Sequence, residues 1–153
     1  MMPKRQSRYT DIIIREKRII NFTLPGQPAA KERSRKGAQG HWYNPQQDLM
    51  LRKSREIGEQ LPEGFQKIEK DVPVIVNLYL FFYPSKTKGT KKFLKEIEND
   101  DIPHLIKPDR DNCDKFVLDC MSGLVFHDDC HVYGGEVYKF WSLNPRTEIE
   151  VIF

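Results

Sequence analysis

A chain of 153 residues with a net charge of +3 has room for one domain with a sizeable core. Hydrophobic content of 39% beside 31% charged residues excludes both a disordered chain and a membrane-embedded one. The longest apolar run, "VPVIVNLYLFFYP", is too short and too interrupted to span a bilayer, and three cysteines without paired spacing point to a reducing cytoplasm rather than a secreted disulfide scaffold.

The charge is unevenly spread. Residues 1–36 hold ten Lys or Arg against three acids, a balance of +7, and the remainder carries −4. A basic front with acids behind it suits a polyanionic substrate held beside a metal site, although a solvated basic tail would give the same count. The start, "MMPKRQSRYTDIIIREKRII", has an apolar stretch of only three isoleucines and no cleavage-type ending. It reads as a basic extension over residues 1–18 and not as a signal peptide, with the domain following over 19–153.

"RIINFTL" alternates as a strand does. It runs into a long loop rich in Pro, Gly, Lys and Arg, "PGQPAAKERSRKGAQGHWYNP", whose far end Trp42 and Tyr43 are expected to anchor. Asn44 as cap and Pro45 as first residue open a helix with Met50, Ile57 and Leu61 along one stripe. "VPVIVNLYLFFYP" is the strongest strand. "SKTKGTKKFLKEIENDDIPHLI" follows, too polar for core and read as a mobile loop or a short helix. From Asp111 the spacing predicts a second long helix, with Cys113, Phe116, Val117, Cys120, Met121 and Leu124 on one apolar stripe and Gly123 as its stop. Strands "LVFH", "EVYKFW" and "TEIEVIF" finish the chain, with turns at Gly134–Gly135 and Asn144–Pro145. The fold class is α+β: one domain, a mixed sheet and two main helices.

Two stretches carry the chemistry. In "KPDRDNCDK", Pro108 disfavours helical backbone at Lys107, so Asp109 comes just before the helix start, and Asp111 or Asn112 is the expected cap. Lys115 lies one turn beyond Asp111 on the same face. In "HDDCH", strand alternation would let only one of Asp128 and Asp129 face the helix unless a bulge or turn lies there. Clustered carboxylates bind hard cations such as Mg²⁺ or Mn²⁺, which neutralise phosphodiester charge and activate water, and a lysine beside them can stabilise developing charge. A cap, a turn and an i,i+4 ion pair would use the same letters. Cys113 and Cys120 fall on the buried stripe, while His127, Cys130 and His131 lack a second paired motif at zinc-site spacing.

The block "KPDRDNCDKFVLDCMSGLVFHDDCHV" resembles the signature of RusA-type Holliday junction resolvases. There an Asp-x-Asp-Asn and a downstream Lys precede an Asp-bearing helix and a closing Asp-Asp. The early strand, the basic loop "PAAKERSRKG" and "YNP" at a helix start agree with it, so the likeness spans residues 19–141 and is specific in 107–132. It implies a homodimeric, Mg²⁺-dependent endodeoxyribonuclease, with Mn²⁺ as substitute, that cuts four-way junctions and related branched DNA in paired strands, in a phage or prophage setting. By the same likeness the essential acids fall on Asp109, Asp111 and Asp129, Asp128 is the adjacent fourth metal ligand, and the catalytic lysine is Lys115. Asn112 and Asp119 match supporting positions. Cys113 stands where leucine is common and His131 where glutamine often stands; neither is a proposed ligand.

Lys31, Arg33, Arg35 and Lys36 in the first basic loop, and Lys86, Lys88, Lys91 and Lys92 in the second, are the expected phosphate contacts. Two other readings fit the same residues: a non-catalytic DNA-binding protein with a structural acidic cluster, and a nuclease of other branched or flapped nucleic acids.

Overall fold

Strict alternation sets the centre of the molecule. In strand β4 (Val74–Phe82), Val74, Val76, Leu78, Leu80 and Phe82 are all buried at two-residue spacing and build the middle of the core. This computed structural model describes residues 17–153, so the basic extension expected over 1–18 falls almost wholly outside the described residues.

Strand β1 (Ile19–Pro25) pairs antiparallel with β7 (Arg146–Ile152), which pairs antiparallel with β4. Along the other edge of β4 run β5 (Val132–Gly134) and β6 (Val137–Trp141), both parallel to it, with Leu78 opposite Val137 and Phe82 opposite Trp141. The sheet is therefore mixed, and the α+β class holds.

Helices α1 (Gln47–Gln60) and α3 (Arg110–Met121) pack on each other on the face of Phe22, Leu24, Ile149 and Val151. The Ser54 hydroxyl of α1 donates to the Cys120 carbonyl of α3 at 2.8 Å. The apolar stripe of α3 is buried from Cys113 through Phe116, Val117, Cys120 and Met121, as its spacing predicts. Ser122 and Gly123 then close a type II turn, with Gly123 at φ +81° and the Leu124 N–H on the Met121 carbonyl, which requires the glycine.

Several expectations need correction. "LVFH" is not a strand: Val125 and Phe126 are fully buried, and their backbone meets only single bridges to Ile68 and Ser122, because the turn drives them straight into the core. Gly134–Gly135 is not a turn but the break between β5 and β6, where a Cβ on Gly135 would run into the Val76 carbonyl. The helix expected from Pro45 begins at Gln47; Asn44 folds an Asx turn, its Oδ1 accepting from the Gln46 N–H at 2.9 Å. The second basic segment does form a short helix, one of its two readings, α2 (Lys91–Glu96) capped by Thr90; it is not too polar for core, since it delivers a fully buried Ile97 with Phe93 and Leu94 packed against the core. Trp42 and Tyr43 anchor nothing: they form strand β3 (Trp42–Tyr43), paired with β2 (Arg35–Lys36), and stand 70% and 50% exposed.

Candidate active site

The solvent side of α3 carries the acids because its other side is committed to the core. Asp109 caps the helix with extended backbone, one position ahead of Arg110, so Asp111 and Asn112 lie inside the first turn rather than at the cap. Its carboxylate makes no capping bond. Both of its oxygens instead accept from the Lys107 ammonium at 2.7 Å, an ion pair whose lysine is 84% exposed. Asp111 and Lys115 are exposed on the same side, and among the described residues Lys115 makes no ion pair within reach of a carboxylate. Burial and the neighbouring charge of Asp111 hold the Asp114 carboxyl above the usual range.

An open cleft of ≈ 790 Å³ borders this end of the helix, lined by His104, Leu105, Ile106, Lys107, Asp109, Arg110, Asp111 and Lys139. A smaller hollow of ≈ 400 Å³ is also lined by Arg110 and Asp111, together with Asp114, Gly135, Glu136, Val137 and Tyr138. Two lining residues carry no sequence signal of their own. Lys139 projects inward from β6 and donates to the carbonyls of Ile106 at 2.7 Å and Pro108 at 2.6 Å, fixing the segment that delivers Asp109. His104 is 5% exposed and stacks on Phe82 at 4.0 Å and against Trp141 at 4.3 Å. Its Nδ1 is buried with no partner among the described residues, and burial followed by the Lys139 charge lowers its pKa to about 4.

The second pair of acids sits elsewhere along the helix. Asp129–His131 is a single 3-10 turn with Asp128 as its cap, the Asp128 carboxylate accepting from the Asp129 N–H at 2.7 Å. Strand alternation therefore does not govern this pair. The two carboxyls share a hydrogen bond that lowers the pKa of Asp128 and raises that of Asp129. The α3 charge that adds to the rise at Asp129 is that of Asp119. Asp119 is itself held by Lys31, whose ammonium lies 2.6 Å from its Oδ2 and whose backbone N–H donates to the Asn112 carbonyl at 2.8 Å.

No group of three or more Asp, Glu, His or Cys side chains among the described residues is drawn together as a metal cage. The oxygen donors are of the type a hard divalent ion takes, but as they stand they do not form its site, and Asp109 is already engaged by Lys107. Burial pushes the Cys113 thiol up to about 11 and the Cys120 thiol to about 12, so both remain protonated core groups and supply no thiolate.

Of the expected phosphate contacts, Arg33, Arg35, Lys36, Lys86, Lys91 and Lys92 are exposed, with Arg35 also on Glu32 at 3.0 Å. Lys31 is half-buried on Asp119, and Lys88 is exposed as well, its ammonium over the rings of Phe93 and Trp141 at 5.2 and 5.3 Å.

The helix thus presents Asp-x-Asp to an open cleft, with an exposed lysine one turn further on. The family model for endodeoxyribonuclease RusA matches residues 25–152, and the chain belongs to that family of Holliday-junction-resolving endonucleases. It is also similar to the uncharacterized protein YqaN of Bacillus subtilis (strain 168), with 28% identity over 137 residues, covering 86% of this chain and 94% of that protein. No helix among the described residues is long and apolar enough to cross a membrane.

Proposed function

We propose that this chain is a Mg²⁺-dependent endonuclease that resolves four-way junctions and related branched DNA, with Mn²⁺ able to substitute. The observation that carries this reading is the exposed face of α3, where Asp109 and Asp111 border the cleft and Lys115 stands exposed one turn beyond Asp111, while the opposite face is buried. Asp109 and Asp111 at the first end of α3 and Asp128 and Asp129 near its far end are the proposed ion ligands, and they do not stand as one cage among the described residues; Asp109, Asp111, Lys115 and Asp129 are the proposed catalytic set, and Asn112 and Asp119 support them. When bound, the ion would neutralise phosphate charge and lower the pKa of water.

The protein's own groups have separate tasks. Lys115, exposed and without an ion pair among the described residues, would meet the charge that develops on the phosphate. Lys139 holds the backbone before Asp109 through two carbonyls, and Lys31 neutralises Asp119 beside the second acid pair. Arg33, Arg35, Lys36, Lys86, Lys88, Lys91 and Lys92 are proposed to hold DNA phosphates, and Lys31, paired with Asp119, to do so only in part. Cutting paired strands in concert needs two sites, so the working unit is proposed to be a homodimer.

The test is cleavage of a labelled four-way junction with Mg²⁺, beside matched fork, duplex and RNA substrates. Asp109→Asn and Asp129→Asn should each lower the cleavage rate on the order of a hundred- to a thousandfold, with junction binding in EDTA retained. Variants that cut at the wild-type rate would remove these acids from the mechanism. Wild-type protein that binds DNA in a salt-sensitive way and cuts nothing with Mg²⁺ would make it a non-catalytic DNA-binding protein.

A further inference from the structure

We propose that the ribbon of β2 and β3 is a stacking platform for unstacked bases at the branch point of DNA; this rests on the endonuclease reading above and adds the element that recognises branching. Trp42 and Tyr43 are large aromatic side chains, yet they stand 70% and 50% exposed and take no part in the core. Their surroundings are cationic rather than apolar. Lys36 lies opposite Trp42 and Arg35 opposite Tyr43, so each face of the ribbon pairs one cation with one aromatic ring. Between residues 31 and 43 the single acid is Glu32, already paired with Arg35.

Exposed rings interleaved with Lys and Arg are the surface that binds bases by their flat faces while the cations hold the backbone. A closed duplex covers those faces with neighbouring base pairs, and a branch point uncovers them. The ribbon is also not a free tail. Its tip closes through the Gly37 N–H on the His41 carbonyl at 2.8 Å, and the buried side chain of Gln46 holds its root, accepting from the Glu32 N–H and donating to the Ala30 carbonyl, both at 2.7 Å. The Lys31 N–H then ties that root to Asn112 on the helix of Asp109 and Asp111. A base held on the ribbon is thereby held at a fixed reach from the cleft.

The experiment is equilibrium binding in EDTA, by fluorescence anisotropy, of a four-way junction and a linear duplex of equal length. Trp42→Ala and Tyr43→Ala are each expected to weaken junction binding about tenfold, with Trp42→Phe near wild type and duplex affinity and its salt slope unchanged. Equal losses on both DNAs, or no loss on the junction, would overturn the platform. Melting temperatures of the variants should match wild type, since both rings are exposed. A measurement that needs no variant is 2-aminopurine at the branch point, whose emission should change on binding wild-type protein while the same probe mid-arm does not; identical responses would also overturn it. Cleavage of the same junction by wild type with Mg²⁺ is scored separately, so the failure of the endonuclease reading and the failure of the platform give different results.

Discussion

The two ends of α3 hold their acids by different physics. At the first end, Asp109 and Asp111 are exposed, but the chain that delivers them is fixed from beneath by the Lys139 ammonium on two backbone carbonyls, above a buried layer of His104, Phe82 and Trp141. At the far end, Asp119 is held by one half-exposed ion pair with Lys31, and Asp128 and Asp129 by one 3-10 turn. One end is positioned through its foundations and the other through its surface. Substitutions beneath the first end should therefore cost stability and activity together, whereas those at the far end should cost little stability.

The largest effect expected of this contrast is at Lys139. Lys139→Met leaves the Ile106 and Pro108 carbonyls without their charged donor, and with the exposed Ile106 bond contributing less than the half-buried Pro108 one, the stability loss is roughly 3 kcal/mol. Urea denaturation measures it, and junction cleavage should fall in the same variant while Lys139→Arg recovers part of both. A Lys139→Met protein as stable as wild type would show that the first end has no foundation of this kind.

His104 provides the next test, through pH. Free histidine titrates near 6.5 and this one at about 4, so in between the unfolded chain takes up a proton that the folded chain refuses. The stability due to its neutral form is fully present above pH 6.5 and is lost as pH falls toward 4, on the order of 3 kcal/mol in all. His104→Phe, which keeps a ring between Phe82 and Trp141, should flatten that part of the pH profile, read by urea midpoints from pH 7 to 4. An unchanged profile would mean that another group titrates there.

What the sequence revealed divides along the same line. The α3 stripe and the β4 alternation were legible because periods of 3.6 and 2 are repeated over many residues. The exposed acids were legible because a motif of several residues, "DRDN" with Lys115, carried the family likeness. The foundations were not legible. Lys139 is one polar letter at an inward strand position, and its partners are carbonyls 31 and 33 residues away, which leave no mark on composition or spacing. His104 lies in a segment whose lysines hid its role in the core. Trp42 and Tyr43 were misread for the opposite reason: aromatic residues usually mark burial, and here a two-residue ribbon holds them out of the core. For Asp128 and Asp129 the letters leave strand alternation and a turn both open, and only the local side-chain cap, which spacing does not reveal, selects the 3-10 turn.

At the far end, Lys31→Met should cost about 1 kcal/mol, the worth of a single half-exposed ion pair. The loop should keep its place, because the Lys31 backbone N–H still reaches the Asn112 carbonyl and Gln46 still holds Ala30 and Glu32. Thermal melts check the first expectation, and undiminished duplex binding the second. A loss as large as that of Lys139→Met would erase the difference between the two ends.

The smallest effect on stability is expected at Lys107, and it bears most directly on metal binding. Its pair with Asp109 is short and two-pronged, yet the lysine is 84% exposed, so solvent screens the attraction and Lys107→Met should change stability by less than about 0.5 kcal/mol. The same ammonium occupies both oxygens of an acid proposed to ligate the ion, so ion and lysine compete for Asp109. Removing the lysine should lower the Mg²⁺ concentration needed for half-maximal cleavage by a few-fold, with the stability curve superimposable on wild type. If half-maximal cleavage instead required more Mg²⁺, Lys107 would be assisting the site rather than occupying it. The first end of α3 would then be preorganised at its surface as well as from beneath.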